Sequence, residues 1–174
     1  MALLLRFVSV LAETTLAGTV PSCLMCNDPG CDGGLQLEIR DHTGGLVAGE
    51  WTLEVDADGD AFEVACTLTE LAANSTCTVP GDTGEWHVSA FVRGDELPET
   101  GDWTGPPRSI AVTIEGGDPH AHEYDGPTTT TVEIVVDGMM STDETFVPEY
   151  DRTFHRGPQS CGHCDRAEVE LVVE

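Results

Sequence analysis

From residue 35 onwards the apolar residues recur at every second position, and no long stretch repeats them at helical spacing. Leu35-Gln-Leu-Glu-Ile-Arg40 and Trp51-Thr-Leu-Glu-Val55 alternate, and so do Ala61 to Leu68, Glu85 to Val92, Arg108 to Glu115, Thr129 to Val136 and Ala167 to Val173. Such a chain lays down strands with one face in a core and one toward water. Asp58-Gly59 and Asp137-Gly138 tolerate the positive φ angles of tight hairpins, so they predict two β-turns. Gly94 to Pro107 reads as a polar loop, and Glu70 to Ala73 has room for one helical turn. No internal repeat is visible. The pattern predicts an all-β domain, an antiparallel β-sandwich of about 7–9 strands. It spans 35–174, after a leader over 1–23 and a Cys-containing linker over 24–34. A length of 174 residues suits one domain with a real core.

Charge narrows the function classes. The chain carries 32 Asp and Glu against 7 basic residues, all Arg, for a net charge of -25. Nucleic-acid binding is excluded as an expectation, because phosphate neutralisation needs clustered cations. Without Lys there is no Walker-type phosphate loop, Schiff base or pyridoxal-phosphate chemistry. No Gly-x-Ser-x-Gly, His-Glu-x-x-His or Gly-x-Gly-x-x-Gly occurs. No enzyme activity and no cofactor are expected. Acidity with Arg in place of Lys fits a saline medium and fits a GC-biased genome equally well.

The first residues, MALLLRFVSVLAETTLAGTVPSC, are too short an apolar run to span a membrane as a helix and read as an export signal. Small residues Ala17, Gly18 and Ser22 precede Cys23, as near a lipoprotein cleavage site. Cys23 is therefore the candidate lipidation site, and a lipid there the expected membrane attachment. The competing reading is an ordinary buried element over Leu3 to Leu11. Pro21, Glu13 and the late Arg6 depart from the signal pattern.

With Cys23 set aside, six Cys remain, an even number that allows 15 pairings. Proximity suggests Cys26 with Cys31, Cys66 with Cys77, and Cys161 with Cys164, and disulfides imply an oxidising compartment. The alternative is metal. Cys161-Gly-His-Cys164 has zinc-knuckle spacing, and the other half of a site would come from His120 and His122 or from Cys23 and Cys26. The same Cys-Gly-His-Cys tetrapeptide serves redox catalysis only at a helix N-terminus, and the strand-like residues after Cys164 leave no room for that helix.

Three further patterns are weaker. Asp56, Asp58 and Asp60 resemble the opening of a calcium loop, but its sixth and twelfth positions hold Ala61 and Thr67, so a hairpin tip explains them better. Asn74-Ser-Thr76 fits a glycosylation sequon. Trp51 and Trp86 read as core, whereas Trp103 is the exposed aromatic that a glycan platform would use.

Several motifs together carry a resemblance. They are Gly33 to Leu35, the hairpin Gly49 to Gly59 with Cys66 in its returning strand, Val132 to Gly138, Thr145 to Tyr150, and Gly157 to Cys164. The combination resembles uncharacterised exported bacterial lipoproteins with an immunoglobulin-like or transthyretin-like sandwich. The resemblance implies a fold and a compartment, and no catalytic residues. The resulting expectation is a non-enzymatic exported domain, at the cell envelope or outside it, structural or adhesive, with an unknown protein or glycan ligand. A metal-binding protein is the alternative.

Overall fold

A computed structural model of the chain describes residues 33–79, 83–96, 101, 103–118, 123–154 and 163–173. These residues form eleven strands and one 3-10 turn, Ala72–Asn74, with no α-helix among them. In chain order the strands are β1 (Gly34–Asp41), β2 (Gly49–Ala57), β3 (Asp60–Leu68), β4 (Thr76–Thr78), β5 (His87–Glu96) and β6 (Trp103–Asp118). They continue with β7 (Glu123–Asp125), β8 (Thr130–Val136), β9 (Met139–Phe146), β10 (Asp151–Phe154) and β11 (His163–Val173). The expected all-β, two-layer architecture is present, with short β4, β7 and β10 added to the main strands.

One sheet has five strands in the order β4-β3-β2-β8-β9, every pair antiparallel. The other has six. Its backbone is β5-β6-β1-β11-β10, and short β7 lies between β6 and β11 where β1 does not reach. Here β1 runs antiparallel to β6 but parallel to β11, from Gly34 beside Arg166 to Asp41 beside Val173. That parallel pair departs from the purely antiparallel expectation. A hairpin cannot connect parallel neighbours, so no local turn announces this one.

The alternation does what the pattern implies. Leu35, Leu37 and Ile39 of β1 face Ile110, Val112 and Ile114 of β6 and Leu171 of β11 within one core. From the other sheet come Trp51, Leu53, Val55, Val64, Val132 and Ile134. The polar loop expected over Gly94 to Pro107 is instead partly strand, since β6 begins at Trp103. Pro106 and Pro107 fit there because β1 pairs only with residues 109–114 of β6. Their missing N–H groups therefore interrupt no central ladder. The β5–β6 register also shifts between Arg93 and Asp95, as at a bulge.

Both predicted Asp-Gly hairpins form, with φ of 53° at Asp58 and 48° at Asp137. Each turn also reaches across to a neighbouring strand. Asp58 Oδ1 accepts the Thr129 N–H at 2.8 Å and the Thr128 hydroxyl at 2.7 Å, and Oδ2 accepts the Thr128 N–H at 2.8 Å. Asp137 Oδ1 accepts the Glu50 N–H at 2.9 Å, over Gly49, where a Cβ would lie 2.7 Å from that carboxylate. Since β2 and β8 are antiparallel neighbours, the two tips clasp opposite ends of the same strand pair.

Candidate functional site

The sequence candidates separate rather than converge. Cys66 and Cys77 face each other in register on β3 and β4 and form a disulfide, with a Cα–Cα distance of 4.1 Å. The bridge fastens a three-residue edge strand that its short ladder alone would hold weakly. Closing a loop of separation 11 contributes about 3 kcal/mol in the chain-entropy account. Cys164 is disulfide-bonded too, which removes its sulfur from the thiolate set a zinc site would need. Cys23, Cys26, Cys31, Cys161, His120 and His122 lie outside the described residues. Among the described residues no three His, Cys, Asp or Glu side chains group as a metal site.

Asp56, Asp58 and Asp60 point to three separate partners. Asp56 Oδ1 accepts the Gly59 N–H at 2.8 Å, Asp58 holds Thr128 and Thr129, and Asp60 Oδ2 accepts the Glu85 N–H at 3.3 Å. They are hairpin braces. Partial burial pushes the Asp58 carboxyl up, but its three hydrogen bonds outweigh that and hold it below its ordinary value. Asn74 ends the 3-10 turn, exposed.

Trp51 is core, with its Nε1 donating to the Val47 carbonyl at 3.1 Å. Trp86 packs at the core's margin, and its Nε1 donates to the Ala57 carbonyl at 3.2 Å. Trp103 is half-buried rather than exposed, and the Arg93 guanidinium lies 5.9 Å from its ring centroid and 5.0 Å from that of Phe91.

The outer faces of the two sheets differ in chemistry. The five-stranded sheet contains no basic residue in any strand. Across its middle Glu63, Glu54, Glu133 and Asp143 stand in register on β3, β2, β8 and β9. Like charges directly opposite one another destabilise a sheet. All five described arginines belong to the six-stranded sheet: Arg40, Arg93, Arg108, Arg152 and Arg166.

On that second face lies a groove. Ser109 and Ala111 of β6 point outward yet are only 2% and 5% exposed. In register, Phe91 and Arg93 of β5 flank them on one side, and Glu38 and Arg40 of β1 on the other. Short side chains between long ones make a floor with two walls. Glu38 ties the walls together. Its Oε1 accepts the Ser109 hydroxyl at 2.8 Å and lies 3.7 Å from Arg93 Nη1, while Oε2 accepts Arg40 Nη2 at 2.8 Å. Partial burial raises the Glu38 carboxyl, but the Ser109 and Arg40 hydrogen bonds and the charges of Arg40 and Arg93 win and keep it ionised below its usual range.

This bridge divides the groove into a part of about 430 Å³ toward Trp103 and one of about 310 Å³ toward Thr113. At the Trp103 end Arg108 Nε donates to Asp95 at 3.2 Å and its Nη1 to the Gly44 carbonyl at 2.8 Å. Sequence reasoning found Trp103 but missed the groove. The small Ser109 and Ala111 in an otherwise bulky strand were its signal, and they mean nothing until the register is known.

No family model, curated protein or solved structure matches the chain. No helix among the described residues is long and apolar enough to cross a membrane.

Proposed function

We propose that this chain is a non-enzymatic exported domain of the cell envelope or its exterior, structural or adhesive in role. The Cys66–Cys77 disulfide carries the reading, because such bonds persist in oxidising compartments and rarely in cytosol. The leader ending at Cys23 supports the same route, with a lipid on that residue as the attachment. The immunoglobulin-like or transthyretin-like kinship belongs to this reading as a resemblance of sequence motifs.

The test is intact-mass and thiol analysis of the full chain expressed in a bacterium and fractionated. The expected product sits in the envelope or medium, lacks the residues before Cys23, gains the mass of a lipid there, and has no free thiol at Cys66 or Cys77. A cytosolic product with its leader intact and both thiols reduced overturns the export reading. A cleaved, secreted product without lipid overturns only the anchor.

A further inference from the structure

We propose that the outer groove of the six-stranded sheet binds a neutral glycan chain. The inference rests on the adhesive reading and names its ligand class.

The floor follows β6 from Trp103 to Thr113, and beside it β5 pairs Ser89 with Thr113 and Glu96 with Trp103, a span of roughly 23 Å at about 3.3 Å per residue, so it suits a short extended stretch of polymer. At the Trp103 end Arg40, Arg93 and Arg108 stand against Glu38 and Asp95, and at the other end Arg166 stands against Glu168 and Glu170. In a chain of net charge -25 these residues set both signs at close range. An anionic polymer would meet repulsion from the rest of the molecule, and a cationic one would meet the arginines while a purely acidic face lay open on the other sheet. A polyhydroxylated neutral chain needs donors and acceptors side by side, which is what paired guanidinium and carboxylate groups present.

Arg93 is held between the Phe91 and Trp103 rings and against Glu38, so its fork is set before any ligand arrives. Its Nε is shielded from water and has no hydrogen-bond partner among the described residues. The Trp103 ring adds apolar surface for the C–H faces of a sugar.

The experiment titrates the full, oxidised protein with cellohexaose, chitohexaose and maltohexaose, and separately with polygalacturonate, following heat and tryptophan fluorescence. At least one neutral hexasaccharide should bind, with affinity little changed between low and molar sodium chloride. Trp103→Ala and Arg93→Lys should each weaken it about tenfold, the second because an ammonium keeps the charge but loses the planar fork. Glu54→Gln, on the opposite face, should leave it unchanged. Circular dichroism and the thermal midpoint establish that each variant is folded.

The proposal is overturned if no neutral hexasaccharide binds the folded wild type, if binding survives Trp103→Ala, or if only polygalacturonate binds and salt abolishes it. Retention on isolated cell envelopes separates the two readings. Folded wild type and Trp103→Ala retained alike would overturn the groove and keep the adhesive role. Wild type that is not retained, yet binds a neutral hexasaccharide, would keep the groove and remove the adhesive role.

Discussion

Asp58 has two jobs that one residue type can rarely do together. It takes a left-handed backbone angle, which Asp tolerates better than most residues, and its carboxylate collects three donors from the start of the next strand pair. Gly at that position would keep the turn and lose the acceptors, so Asp58→Gly isolates the clasp. It should cost about 1–2 kcal/mol in chemical denaturation, the range for hydrogen bonds to a charged group, discounted for exposure. The pH dependence has a definite sign. The folded carboxyl lies below its ordinary value, so its stabilisation is complete above the unfolded pKa and fades as pH falls through the folded one. The gap between wild type and Asp58→Gly should hold steady from neutral to about pH 5 and close below about pH 4. A gap independent of pH would mean that the turn conformation, not the carboxylate, sets the cost.

At the scale of elements, the in-register row Glu63, Glu54, Glu133 and Asp143 sets like charges side by side across four strands. Glu54 stands between two of the others on the central strand β2. Glu54→Lys would set a cation between Glu63 and Glu133 and should stabilise by about 0.5–1 kcal/mol, a few degrees in thermal midpoint. An unchanged or lowered midpoint would show that the row is already compensated.

Such a row was half legible. Alternation showed that Glu54, Glu63 and Glu133 face outward, and the Asp58-Gly59 turn sets the register that opposes Glu54 and Glu63. The pairing of β2 with β8 joins distant segments, and no local pattern encodes it. The same limit hid β7, the β1–β11 pair and the Ser109–Ala111 groove floor. Hairpins and strand positions are local chemistry, whereas neighbours across a sheet are decided by how all the strands share one core. Trp103 shows the limit at its smallest: its loop-like prolines are allowed in β6 because the neighbouring strand stops at residue 109 of that ladder.

The whole molecule carries its charge unevenly. One sheet has acidic and no basic residues in its strands, and the other holds every described arginine in ion pairs or hydrogen bonds to carboxylates and backbone. In a chain of net charge -25, repulsion among the carboxylates of the five-stranded sheet has no basic residue in its strands to offset it. Added sodium chloride should raise the thermal midpoint from low to molar concentration with the disulfides intact, because the Debye length shrinks from about 30 Å to about 3 Å across that range. Chloride is the useful salt, since sulfate would also strengthen apolar burial. In Glu54→Lys the rise should be smaller. A flat response in both proteins would mean that bound cations, rather than free screening, already neutralise the face.

The pairing of β1 with β11 bears on the order of assembly. Residue 34 finds its partner at residue 166, so the middle of the six-stranded sheet waits for a segment made late in synthesis. Loops that long close slowly, and sheets built from distant partners fold in milliseconds to seconds rather than microseconds. The hairpins of the other sheet can form early, but the wall they pack against stays incomplete until β11 arrives between β1 and β10. A chain threaded outward through a narrow channel must stay unfolded while it passes. On the export route proposed above, this topology delays completion of the six-stranded sheet until β11 has followed β1 through the channel.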